Sequence, residues 1–275
     1  MNDMTLYFKN RSRGDEMDLG IEGRRALVCA SSKGLGRACA FALARAGCIV
    51  TINGRQAPVL EACARELKEA TGAEIHAVAA DVGSPEGRRA LLAACPDPDI
   101  LVNNNSGPPP KDFRALSGAD LHAGLEANMA TPIALVQAVI DGMIARRFGR
   151  ILNITSGSVR MPLPGLDLSS GARAGLTAFL SGVAREVAHA NVTINNLLPG
   201  AFETDRLSST IAAQAKRDGL TFGEAEEKRR AGIPAKRFGR PEELGRLCAF
   251  LASVHAGYIT GQNFLVDGGA FPGAF

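Results

Sequence analysis

Along the chain, short runs rich in β-branched residues alternate with stretches whose apolar positions recur every three or four residues. The runs ALVCA (26–30), CIVTIN (48–53), IHAVAA (75–80), DILVNN (99–104), RILNIT (150–155), VTINNLL (192–198) and NFLV (263–266) read as seven strands. They are apolar on consecutive positions, the pattern of strands covered on both faces. The clearest helix carries Leu35, Ala38, Cys39, Ala42, Leu43 and Ala46 on one face and is stopped by Gly47. Strand–helix alternation of this kind predicts a seven-stranded parallel sheet with right-handed crossovers and helices on both faces. One doubly wound α/β domain over residues 17–275 is therefore expected, preceded by a polar, mobile N-terminal extension over residues 1–16. Two segments break the pattern. Ser106 to Lys111 (SGPPPK) follows the fourth strand, where a carboxyl-end loop borders a ligand crevice. Residues 201–234 form a polar, largely helical insertion, either a lid over that crevice or a solvated excursion.

Composition narrows the class of partner. With 31 basic and 28 acidic residues the formal charge is +3, too balanced for a surface that tracks phosphates, so no nucleic-acid partner is expected. The six cysteines show no CxxC pair and no neighbouring histidine at ligand spacing, which predicts reduced thiols in a cytoplasmic protein and no metal site. No run approaches the roughly 18 consecutive apolar residues of a membrane span, and no membrane is expected. Glycine is frequent, 31 of 275, whereas tyrosine occurs only at Tyr7 and Tyr258.

The glycines concentrate where chemistry is expected. Ala30-Ser31-Ser32-Lys33-Gly34-Leu35-Gly36 joins the first strand to the first helix. Glycines there let the backbone approach a pyrophosphate, and the helix N-terminus offers free N–H groups and a partial positive charge. At the first strand–helix junction this is the signature of a Rossmann-type dinucleotide site. The second strand ends in Asn53-Gly54-Arg55. An acidic residue there would bind a ribose 2′-OH, whereas arginine accommodates a 2′-phosphate, so Lys33 and Arg55 favour NADP over NAD. Two exposed loop cations would look the same.

These motifs resemble the short-chain dehydrogenase/reductase superfamily, most of all its 3-oxoacyl-[acyl-carrier-protein] reductases, from about Ile21 to Ala270. The family's TGxxxGxG loop is matched from Cys29 to Gly36, with Ala30 for the first glycine. Its adenine-contacting Asp-Val is matched by Asp81-Val82. Its NNAG run appears as Asn103-Asn104-Asn105-Ser106, and its nicotinamide-bordering PG motif as Pro199-Gly200 with Thr204. The ending Gly257 to Gln262, then Val266 to Gly269, is similar to the family's C-terminal signature. The resemblance implies an NADP(H)-dependent oxidoreductase of fatty acid metabolism, a carbonyl, alcohol or acyl-thioester substrate, and a homotetramer. It implies cofactor contacts from Ser31, Ser32, Lys33, Gly34, Leu35, Gly36, Arg55, Asp81, Val82, Asn104, Asn105, Arg173, Pro199, Gly200 and Thr204.

The resemblance also implies a catalytic set of Asn, Ser, Tyr and Lys. Asn128 matches the asparagine and Ser156 the serine. Where the family has YxxxK on one helix, this chain has Ser169 and Arg173. A serine hydroxyl is far less acidic than a phenol, and its oxygen stops roughly 4 Å short of the phenol position. Arginine keeps the charge and can still reach a ribose, yet it does not pass a proton on as lysine does. The pair argues against tyrosine-type proton delivery. It leaves open an atypical reductase, in which Asp167 or a water held by Asn128, Ser156 and Ser169 supplies the proton. It also leaves open an NADP-binding protein with little or no turnover, a sensor or an inactive subunit. Halohydrin dehalogenases, relatives that use arginine for lysine, retain the tyrosine and abandon the glycine loop, the reverse of this chain. Tyr258 is expected in core or interface packing. Arg146, Arg147 and Arg150 form a cation cluster suited either to an acidic carrier protein or to a helix C-terminus. Leu176, Phe179, Leu180, Val183 and Val187 form an apolar helix stripe that would serve either intrachain or intersubunit packing.

Overall fold

The computed structural model describes residues 17–274; the extension 1–16, Tyr7 included, lies outside the described residues. Seven parallel strands form one sheet: β1 Arg25–Val28, β2 Ile49–Gly54, β3 Ile75–Ala79, β4 Ile100–Asn103, β5 Gly149–Ile154, β6 Val192–Pro199 and β7 Asn263–Val266. Their spatial order is β3-β2-β1-β4-β5-β6-β7. All seven match the strands expected from the hydrophobic runs to within two residues at either end.

Alternate side chains of each strand feed two separate cores. Ala26, Val28, Val50, Ile52, Ile100 and Val102 point to one face, covered by α1 (Gly34–Arg45), α2 (Ala57–Thr71) and α9 (Pro241–Ala252). Leu27, Cys29, Leu101, Ile151 and Ile194 point to the other, covered by α3 (Pro85–Ala94), α5 (Thr131–Ala145) and α6 (Asp167–Val187). This two-sided burial is why the strands read as unbroken apolar runs. Helix α4 (Gly118–Leu125) continues through a π-helical turn, Glu126–Ala130, into α5. The continuous run Gly118–Ala145 is long and apolar enough, by composition alone, to cross a membrane, although the sequence shows no unbroken apolar stretch of that length. In the fold its residues Leu135, Val136, Val139 and Met143 pack into the sheet core.

The order reverses between β1 and β4, and at that switch point the loops after the strand carboxyl ends open a crevice. The insertion forms α7 (Asp205–Asp218) and α8 (Phe222–Ala231), with a small core of its own around Leu207, Ile211, Ala225 and Phe238.

The cation cluster resolves as a structural feature. Arg150 is a fully buried residue of β5. Its guanidinium donates to the carbonyls of Gly149, Asn191 and Ser253 and to Asn191 Oδ1. Burial pushes its pKa down to about 10. Arg146, at the surface, pairs with Asp97 and Asp99, and the exposed Arg147 donates to the His189 carbonyl. Strand residue Arg150 faces inward because β5 is covered on both sides, which the helix-end reading of the cluster did not allow for. The Leu176–Val187 stripe is divided: Leu176, Leu180 and Val187 are buried, and Phe179 faces solvent.

Candidate active site

The loop after β1 is held rigidly from below. Ser31 donates its hydroxyl to the Val28 carbonyl, and Asn53 of β2 accepts from the Ala30 N–H and donates to the Val78 and Ala80 carbonyls. Asn104, just past β4, donates to the Ala30 carbonyl at 3.1 Å. A Cβ on Gly36 would lie 2.5 Å from that carbonyl oxygen and 2.8 Å from Asn104 Nδ2, so only glycine allows this approach. Lys33 stands at the helix N-cap without a side-chain cap, and no side chain satisfies the first-turn N–H groups of α1, which face the crevice. Ala30 carries φ 44, the left-handed region, which accounts for the glycine that similar loops place there.

Around this turn lie the other residues assigned to the cofactor. Ser32 packs its hydroxyl against Gly54, where a Cβ would come within 3.0 Å. Arg55 follows at the end of β2, exposed, and Lys33 is exposed beside Asp205 of the insertion at 3.6 Å. Asp81 caps the Gly83 N–H with one carboxylate oxygen, while Val82 is buried beneath it. Thr204 caps α7, and its methyl lies 3.5 Å from where a Gly34 Cβ would be. Gly200 donates to the Val266 carbonyl and so ties the Pro199-Gly200 turn to β7. Leu35 is the first-turn residue that packs toward the core.

Between this turn and α6 is a narrow cavity lined by Val82, Asn104, Asn105, Asn128, Asn153 and Arg173 among others. Asn128, in the π-turn, is buried; its Nδ2 donates to the Gly124 carbonyl at 3.4 Å, and its Oδ1 has no partner. A buried acceptor left open beside a cavity is a place for a donor from water or ligand. Ser156 accepts from the Ser158 N–H, leaving its own O–H to donate.

Arg173 is nine-tenths buried. Its Nε donates to Ser169 Oγ at 3.3 Å, Nη1 to the Ile154 carbonyl at 2.9 Å and Nη2 to the Asn105 carbonyl at 3.5 Å. Burial, with Arg206 nearby, pushes its pKa down to about 10. Ser169 is buried too and borders a second, small pocket formed with Pro108, Pro109, Lys111 and Leu168. The expected serine–arginine pair is thus a hydrogen-bonded unit at the boundary of two pockets, and the SGPPPK loop walls the outer one. Asp167 is exposed at the start of α6, outside the cavity, and accepts from the Gly165 N–H. Tyr258 is fully exposed and packs in no core.

The hydrophobic pattern gave no sign of one polar feature. Asn103, Asn153, Asn196 and Asn263 stand in register on β4 to β7, and their amides hydrogen-bond side by side at 2.9, 3.0 and 2.8 Å. An asparagine in each of the runs DILVNN, RILNIT, VTINNLL and NFLV was the available signal. The ladder ends at Asn103, whose Oδ1 is buried and open.

The profile of the enoyl-(acyl carrier protein) reductase family matches residues 29–270. The chain is 33% identical over 259 residues to a 3-oxoacyl-[acyl-carrier-protein] reductase of Aquifex aeolicus, covering 93% of this chain and all of that protein. It is 31% identical to the NADPH-dependent reductase BacG of Bacillus subtilis, covering 90% and 97%. Among solved structures, a 3-oxoacyl-(acyl-carrier-protein) reductase of Agrobacterium tumefaciens with NADP bound is 30% identical. It superposes with a TM-score of 0.82 over 96% of this chain and 99% of that one. The L-sorbose reductase of Gluconobacter frateurii, complexed with NADPH and L-sorbose, gives 0.88 at 30% identity over 94% and 100%.

Proposed function

This chain belongs to the short-chain dehydrogenase/reductase family whose profile is described as enoyl-(acyl carrier protein) reductase, and on that premise we propose that it is an NADP(H)-dependent reductase of a carbonyl compound or acyl thioester. The observation that carries the reading is the turn at α1: open N–H groups at Gly34 to Gly36, an approach only Gly36 permits, and the cations Lys33 and Arg55 on either side. NADP-bound and NADPH-dependent relatives support it.

In this reading the first turn of α1 with Ser32 holds the pyrophosphate, Ser31 fixing the loop from below through the Val28 and Asn53 carbonyls, and Lys33 and Arg55 hold the 2′-phosphate. Asp81 and Val82 border the adenine, and Asn104, Asn105, Pro199, Gly200 and Thr204 frame the nicotinamide end. Bound NADPH supplies the hydride. Ser156 donates its free O–H to the substrate carbonyl oxygen, polarising it. Arg173 directs its two remaining N–H groups at the nicotinamide ribose and keeps positive charge beside the developing alkoxide. Ser169 is too short to touch that oxygen, so the proton comes from water hydrogen-bonded between Ser169, Ser156 and Asn128 Oδ1. A water acid is far less matched to neutral pH than a phenol, and turnover is correspondingly slow. Helices α7 and α8 act as the lid, reaching the turn through Lys33 and Asp205. Buried reduced thiols suit the cytoplasm, and a homotetramer would cover Phe179 on α6.

Titration of NADPH and NADH by nucleotide fluorescence, followed by turnover of a short 3-oxoacyl thioester in the same sample, tests the reading. NADPH binding tighter than NADH, with slow oxidation, is expected. Tight NADPH binding with no oxidation across 3-oxoacyl thioesters and diketones would replace the reductase with a nucleotide-binding protein lacking redox turnover.

A further inference from the structure

Two guanidinium groups meet at the mouth of the site with no carboxylate between them. Arg173 reaches the loop after β4 from α6, and Arg206 reaches it from the first turn of α7, donating Nη1 to the Gly107 carbonyl at 3.5 Å. A Cβ built on Gly107 would lie 3.0 Å from Arg206 Nη2, 3.6 Å from Arg173 Nη2 and 3.5 Å from Ser169 Oγ. All three donors therefore face the same side of Gly107, close enough that a side chain there would crowd them. Among the described residues neither arginine forms an ion pair, while the neighbouring Lys33, Arg88 and Lys111 each do. The repulsion is felt at Arg173, whose charged form is disfavoured by Arg206 as well as by burial.

Two like charges held together, one of them nine-tenths buried, are stabilised by an anion placed between them. We propose that Gly107, Ser169, Arg173 and Arg206 form an anion subsite that selects substrates bearing a carboxylate next to the reacting carbonyl. The claim rests on the reductase reading for the word substrate, but the binding itself does not. Gly107 has no positive φ, so the turn does not require glycine there; its lack of a side chain is what lets Arg206 come this close. Ser169 contributes because it is short: a longer side chain at 169 would fill the same space. Arg206 rides on the proposed lid, so an anion between the two arginines would also draw α7 onto the crevice. A carboxylate of the substrate and a phosphate oxygen of the cofactor share the chemistry such a site recognises. The substrate is the better match, because Gly107 lies on the Pro108–Lys111 side of Ser169, whereas the first turn of α1 already offers open N–H groups to a phosphate.

The test is calorimetric titration of the full-length protein with oxalate at constant ionic strength, with and without saturating NADPH, and with the neutral oxamide as control. Oxalate is expected to bind the NADPH-loaded protein and oxamide not. Arg206→Gln should weaken oxalate about tenfold to a hundredfold, the usual worth of a charge-assisted hydrogen bond. Gly107→Val, which fills the space without touching either arginine's charge, should weaken it as well. Oxalate binding no tighter than oxamide, or unaffected by both substitutions, overturns the proposal. Oxalate that binds only in the absence of NADPH, and competes with it, assigns the arginines to the cofactor phosphates and overturns it too. These titrations need no turnover, so a protein that binds oxalate and NADPH yet reduces nothing refutes the reductase reading and leaves the subsite standing.

Discussion

At the scale of single residues, two departures from the family pattern have opposite physical consequences. Ala30 holds φ 44 where a glycine is expected. The left-handed region costs an L-residue roughly 1–2 kcal/mol, and the greater freedom of unfolded glycine offsets about 0.4–1 kcal/mol of the relief. Ala30→Gly is therefore expected to stabilise the protein by up to about 1 kcal/mol, read as a higher urea midpoint with an unchanged slope. Ser169 and Arg173 are a different matter, because they interlock. Lysine at 173 would surrender the donors now on Ser169 and the two carbonyls. The pair Ser169→Tyr with Arg173→Lys should raise turnover of a 3-oxoacyl thioester at least about tenfold by restoring a phenolic acid. Arg173→Lys alone should lower the thermal midpoint without raising turnover. Both departures were legible in the sequence as mismatches to a motif. That Arg173 spends its donors on the Ile154 and Asn105 carbonyls was not, since those partners are 19 and 68 residues away.

At the scale of elements, the strands were legible because burial on both faces writes itself as unbroken apolar runs, and α1 because its buried face repeats with the helical period. The asparagine ladder across β4 to β7 escaped that reading, because polar residues that satisfy one another inside a sheet leave no periodic trace. Asn153 donates to Asn196 and accepts from Asn103, so it bonds both neighbouring rungs. Replacing it with leucine of similar size strips the buried Asn196 Oδ1 of its donor and leaves Asn103 Nδ2 only the long contact to the Pro132 carbonyl, at about 1–3 kcal/mol for an unsatisfied buried group. Asn153→Leu is expected to destabilise by at least about 2 kcal/mol in denaturant unfolding. A loss below about 0.5 kcal/mol would show that the ladder carries no net stability. The insertion 201–234 was legible as helical and as either a lid or a solvated excursion; the contact that sets its start beside the first turn of α1, Lys33 with Asp205, joins residues far apart along the chain and left no local trace.

At the scale of the whole molecule, one sheet separates two apolar cores, and all six cysteines are buried within them. Burial pushes the Cys29 and Cys48 thiols up to about 12, so the reactive thiolate is scarce at neutral pH. The native protein should react with a disulfide reagent such as DTNB no faster than it unfolds, and six thiols should titrate in denaturant. Rapid reaction of any thiol before unfolding would show that the core around it opens locally. By itself the sequence determined the doubly wound parallel sheet, the position of the dinucleotide turn and the identity of the residues that replace the tyrosine–lysine pair. Each of these is written in local spacing, where burial period, helix start and motif length depend on residues close along the chain. Only the tertiary structure decided that Arg150 is a buried strap, that Asp167 is exposed, and that Arg173 and Arg206 converge on the space above Gly107. Those relations join residues tens of positions apart, and their energies depend on distance and burial, which no spacing along a chain specifies.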